Sequence, residues 1–158
     1  MEHLKEQHYP SINAVPEHKV LERATEILSE RLAERDAYTS PDMVKTFLKC
    51  KLGGYEREVF SVMFLDNGHR LISYQELFFG TINAASVYPR EVVKAALKFN
   101  AAAVIFSHNH PSGVSEPSKA DIAITSRLKE TLELVDVRAL DHIIVGDTCT
   151  SMAQRGLF

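Results

Sequence analysis

The sequence has no tryptophan, only two cysteines in 158 residues, and no apolar run of the roughly 18 residues that a membrane-spanning helix needs. Two cysteines, Cys50 and Cys149, are too few for a secreted disulfide framework and read as thiols of a reducing compartment. The start, Met1-Glu-His-Leu-Lys-Glu-Gln-His8, lacks the basic-then-apolar order of a secretory signal. The expectation is a cytoplasmic chain with no membrane contact. An excess of positive charge is also missing: 18 Lys and Arg stand against 21 Asp and Glu, a net charge of −3. That excludes a whole-surface grip on nucleic acid and leaves room only for a local basic stripe. No internal repeat and no low-complexity tract interrupts the chain.

What is present is an ordinary globular composition, 45% hydrophobic and 25% charged, in a length that predicts one domain. A chain of this size hides roughly 70% of its unfolded surface, so its core needs no staple. Residues 1–16 are polar, without period and punctuated by Pro10 and Pro16, and predict an arm. Val20, Leu21, Ala24, Ile27, Leu28 and Leu32 recur at three and four, so residues 17–35 predict a helix with one buried stripe. Ser40-Pro41 reads as a helix start, Met43, Val44, Phe47 and Leu48 as its buried face, and Gly53-Gly54 as its stop.

The period changes at Val59–Leu65, a β-rich run whose Asn67-Gly68 predicts a hairpin into a return strand over 70–79. Residues 89–99 predict a helix with Val92, Val93, Ala96 and Leu97 inward and Asn100 as its stop. Arg90, Lys94 and Lys98 share its opposite face, either as a solvated stripe or as a nucleic-acid contact. Residues 101–107 are short, continuous and apolar, the pattern of a central strand covered on both faces. A turn-rich segment runs from His108 to Pro117, and Ser118 opens a helix to about Leu134, with Ile122, Ile124, Leu128 and Leu132 available for packing. Short strands are predicted at 137–140, 142–145 and 148–152.

Seven histidines are present, and two, His108 and His110, are one residue apart at the end of the central strand. Side chains of an extended chain alternate faces, so these two point the same way, with Cα atoms roughly 6–7 Å apart. Asp121, in the first turn of the next helix, can return a carboxylate to the same spot. Two imidazoles and one carboxylate leave a tetrahedral Zn²⁺ one open position, the pattern of a hydrolytic zinc site. The same residues also read as a hydrogen-bonded histidine pair and as a Ser118–Asp121 helix cap.

The run His108-Asn-His-Pro-Ser-Gly113 followed by Ser118-Lys-Ala-Asp121 resembles the JAMM motif of the MPN-type (JAB) metalloproteases. That motif is an upstream Glu, His-x-His-Pro, a short gap and Ser-x-x-Asp. Gly80-Thr-Ile-Asn83, Pro89-Arg-Glu-Val92 and Leu140-Asp-His-Ile-Ile-Val-Gly146 make the chain similar to the RadC branch, over about Asp36 to Phe158. The resemblance implies an α/β, cytidine-deaminase-like three-layer JAB/MPN domain with a mixed central sheet at 36–158. A short helical extension at 1–35 precedes it, as in abbreviated RadC-like proteins without the helix-hairpin-helix region.

The resemblance also implies Zn²⁺ held by His108, His110 and Asp121 with water as fourth ligand, and Ser118 donating a hydrogen bond to the oxyanion of a tetrahedral intermediate. The general base is implied to be a Glu at the start of the first core strand, which Glu58 matches; Glu76 and Glu91 are its rivals. The implied activity is that of a zinc metallopeptidase or isopeptidase acting on a protein or peptide. Deubiquitinating members carry Ser or Thr between the two histidines, whereas this chain has Asn109, and no long insertion near 80–89 offers a clamp for a protein tail. His142 is expected behind the ligands rather than among them, and His69 in the solvent. The alternative function is a nucleic-acid-associated accessory protein, related to DNA repair or mobile elements, with a structural or vestigial metal site. A zinc deaminase is excluded because the Pro-Cys-x-x-Cys ligands are absent.

Overall fold

The computed structural model describes residues 14–82 and 86–158. The expected arm at its residues 1–13, the end of the Gly80–Asn83 motif and the tip of the 80–89 loop lie outside them. The elements run α1 (Glu17–Glu34), α2 (Pro41–Leu52), β1 (Val59–Leu65), β2 (Leu71–Phe79), α3 (Pro89–Lys98), β3 (Ala103–Asn109), α4 (Lys119–Glu133), β4 (Arg138–Val145) and β5 (Cys149–Ser151). The sheet order is β2-β1-β3-β4-β5, antiparallel throughout except for the parallel β3–β4 pair.

β1 and β3 are buried along their whole length, which explains their unbroken apolar runs. Phe60, Val62, Phe64, Val104 and Phe106 pack with Val92 and Ala96 of α3 and Ile124, Leu128 and Leu132 of α4. The alternate residues, Val59, Met63, Leu65, Ala103 and Ile105, pack with Leu32 of α1 and Val44, Phe47, Leu48 and Leu52 of α2. The result is the three-layer α/β arrangement with a mixed sheet that the motif resemblance implied. Among the described residues no helix is long and apolar enough to cross a membrane. Cys50 and Cys149 are both free and half-buried.

Several local expectations are corrected. The stripe of α1 is buried only toward its C-terminal end: Leu32 is enclosed, but Val20 and Leu21 remain 46% and 38% exposed. Leu97 and Ile122 face outward. The two strands expected either side of Asp141 are one strand, β4, because the register slips between Val104 and Ile105 and a bulge absorbs the polar interruption. β3 starts two residues later than expected and carries His108 and Asn109 within it, where β4 continues alongside to Val145. The hairpin forms, but its left-handed residue is His69 (φ 58°), after the Asn-Gly pair. The His69 N–H closes the turn on the Asp66 carbonyl at 2.9 Å. Gly53 ends α2 in right-handed conformation (φ −64°), still donating to the Lys49 carbonyl.

Candidate metal centre

Alternation along β3 decides which side chains meet. Even-numbered residues face α3 and α4, so His108 points into that layer and Asn109 into the opposite one. His110 follows just past the strand, its N–H donating to the Val145 carbonyl at 2.8 Å. Gly113 (φ 87°) turns the loop back across β4, where its carbonyl accepts the Asp147 N–H at 2.7 Å. A Cβ at Gly113 would stand 2.7 Å from the Asp147 carboxylate, and one at Gly146 would stand 2.3 Å from the Gly113 carbonyl. Both glycines therefore permit the close loop crossing that holds His110.

α4 brings the carboxylate. The Ser118 hydroxyl accepts the Asp121 N–H at 3.0 Å, and Asp121 Oδ2 accepts the Ser118 N–H at 2.8 Å, a complete capping box. Asp121 still reaches the histidines: His108 Nε2 is 3.1 Å from Oδ1 and His110 Nε2 is 3.2 Å from Oδ2. The two Nε2 atoms are 3.0 Å apart. The cap and the convergence with the histidines, alternatives in the sequence, coexist in one side chain.

The electrostatics favour a cation at this point. Burial pushes the Asp121 carboxyl up, but His108, His110 and the Ser118 N–H outweigh it and hold it well below the usual carboxylate range. The hydrogen bond to Asp121 raises the His110 pKa against its desolvation, with the Val114 carbonyl and Glu58 adding to the rise. His110 Nδ1 lies 2.7 Å from the Val114 carbonyl, which only accepts, so Nδ1 carries the hydrogen and the neutral ring presents the Nε2 lone pair inward. The carboxylate and the two imidazole Nε2 atoms face one another at 3.0–3.2 Å, where a proton or a metal ion can lie between them. Two imidazole nitrogens and a carboxylate are donors that a zinc site uses, so the group could hold a metal ion. His108, His110 and Asp121 are the group of this kind found among the described residues, their ligand atoms all within 4.8 Å of one another.

The remaining candidates separate cleanly in space. The β1–β3 pairing ends at Phe60 and His108, Glu58 immediately precedes β1, and its charge acts on His110. The Glu58 Oε2 accepts the Ile82 N–H at 2.7 Å. Glu76 instead accepts hydrogen bonds from Tyr55 and Tyr74, at 2.6 and 2.9 Å. Glu91 lies on α3, 3.7 Å from Lys94. Arg90, Lys94 and Lys98 are exposed along that helix.

Two contributors escaped the sequence reading. Asn109 Oδ1 accepts the Val59 N–H at 2.7 Å, and its Nδ2 donates to the Arg57 carbonyl at 2.9 Å. It ties the segment carrying Glu58 to β3. Thr125, 2% exposed, touches His142 from α4; its spacing of four from Asp121 was the available signal. His142 lies behind His108 as expected, and burial, followed by the charge of His108, pushes its pKa well down. His69, expected in solvent, is instead half-buried between Asp36 and Arg138.

The sequence model of the family described as RadC-like JAB domain matches residues 38–157. The chain belongs to this family. It is similar to two UPF0758 proteins of Vibrio cholerae serotype O1. One is 61% identical over 155 residues, covering 98% of this chain and 95% of the relative. The other is 54% identical over 156 residues, 99% of each. A longer UPF0758 protein of Thioalkalivibrio sulfidiphilus is 59% identical over 138 residues, 87% of this chain and 62% of the relative. Membership in the RadC-like JAB family agrees with the fold and with a His-His-Asp group of the JAMM kind.

Proposed function

We propose that this RadC-like chain is a zinc-dependent metallopeptidase or isopeptidase hydrolysing an amide bond in a protein or peptide. The observation that carries the reading is the convergence of the His108, His110 and Asp121 ligand atoms, with Glu58 close enough for its charge to act on His110. His108, His110 and Asp121 would hold the ion. Zinc bound there supplies Lewis-acid polarisation of the substrate carbonyl and acidifies water toward a pKa of about 7. Glu58 takes the proton of the attacking water and returns it to the leaving amine. The Ile82 N–H occupies its Oε2 and orients the carboxylate, leaving Oε1 for the proton. The exposed Ser118 hydroxyl accepts from the Asp121 N–H, so its own hydrogen is available for the developing oxyanion. The net charge of −3 supports a protein or peptide substrate over a polyanion.

The test is an unbiased cleavage profile of the zinc-loaded full chain, wild type against Glu58→Gln, on peptide and isopeptide-linked libraries. The expected result is cleavage that falls by about 10²–10⁴-fold in the variant, with metal content unchanged. A wild type without Glu58-dependent cleavage overturns the reading.

A further inference from the structure

His142 and Thr125 stand behind the candidate centre, outside both the ligand triangle and the proposed proton path. They are 0% and 2% exposed. Their hydrogen bonds form a chain whose direction follows from groups of fixed polarity. It begins at the main-chain carbonyl of Asp121, which can only accept. Thr125 Oγ1 lies 2.6 Å from that oxygen, so the hydroxyl gives its one hydrogen there. Toward His142 Nδ1, 2.5 Å away, Thr125 can then only accept, and that nitrogen carries a hydrogen.

Enclosure by Phe60 and Phe106, with ring centroids 5.6 and 5.9 Å away, favours the uncharged ring of His142. Its Nε2 is then a lone-pair nitrogen facing His108 Nδ1 at 2.8 Å, so His108 is the donor. His108 Nε2 is left with its lone pair toward Asp121 Oδ1, 3.1 Å away. The chain starts at the Asp121 backbone and ends at His108, whose Nε2 faces the Asp121 side chain. One turn of α4, from Asp121 to Thr125, supplies both its start and the carboxylate it faces.

We propose that Thr125 and His142 are positioning residues that impose the Nδ1–H tautomer on His108, so that its Nε2 faces the metal as a ready ligand. With the chain reversed, His108 would carry its hydrogen on Nε2, inside the centre, and could not bind through that nitrogen. The inference rests on the reading of His108 as a ligand, and it deepens that reading by naming what selects the ligating atom.

The experiment uses the full chain, with long-range ¹H–¹⁵N spectra of the metal-free protein at alkaline pH and Co²⁺ titration in parallel. Thr125→Val keeps the side-chain shape but removes the oxygen that accepts from His142; Thr125→Ser restores it. Wild type and Thr125→Ser are expected to show Nδ1–H on both His142 and His108 and the same Co²⁺ affinity. Thr125→Val is expected to shift both rings toward Nε2–H and to weaken Co²⁺ binding by about 10–100-fold. An Nε2–H His108 in the wild type, or wild-type tautomers and affinity in Thr125→Val, overturns the proposal. Should Thr125→Val not fold, His142→Gln keeps an acceptor oxygen toward His108 and His142→Leu does not. Gln is then expected to hold Co²⁺ more tightly than Leu, and equal affinities overturn the proposal. The tautomer is read without substrate or turnover, so its failure leaves amide hydrolysis standing and failure to cleave leaves the tautomer standing.

Discussion

Each end of the sheet carries a histidine beside a carboxylate, and the two ends are built to opposite effect. At the hairpin end, His69 Nδ1 lies 3.2 Å from Asp36 Oδ1, and Arg138 Nη2 lies 3.0 Å from His69 Nε2. A guanidinium only donates, so Nε2 accepts and Nδ1–H serves the carboxylate. The cluster is closed, both ring nitrogens of His69 meeting a complement. At the other end, His110 is committed through Nδ1 to the Val114 carbonyl, so Nε2 is the nitrogen turned toward Asp121 and His108. That cluster could hold a metal ion. Residue types alone do not separate the two; the partner of the far ring nitrogen does.

The contrast can be broken by matched substitutions at the two ends. The largest effect is expected from Glu58→Gln, which lowers cleavage by about 10²–10⁴-fold, whereas Asp36→Asn leaves the cleavage rate unchanged. Equal losses in the two variants would erase the distinction. Asn109→Ala, at a 3% exposed position, leaves the Val59 N–H and the Arg57 carbonyl without their side-chain partner. It should cost about 2–3 kcal/mol in urea unfolding. It should also slow cleavage by loosening the segment that carries Glu58, and a stable, fully active variant contradicts that role. The smallest effect belongs to His69→Ala, expected to cost about 1–2 kcal/mol through its two polar contacts. Its metal content should match the wild type.

Much of the site was legible because it is local. The alternation of His108 and His110, and the Ser118-x-x-Asp121 spacing, both follow from the geometry of one strand and one helix start. The bulge at Leu140 was not legible, since only the pairing with β3 reveals that β4 continues past it. Nor was the exposure of Val20 and Leu21, because periodicity marks the apolar stripe of α1 but not how far the domain beneath it extends. Asn109 looked like a substrate-related variation between two histidines, and proves to join residues about fifty positions earlier in the chain to β3. The relay through Thr125 and His142 joins α4 to β4 and β3, which no spacing along the chain records.

The most direct test of the central claim is the divalent metal content of the natively purified full chain, measured by elemental mass spectrometry for wild type, His108→Ala, Asp121→Ala and His69→Ala. The prediction is about one zinc per chain in the wild type and in His69→Ala, and loss of the metal in the other two. A folded wild type that carries no zinc and takes none up on titration contradicts it.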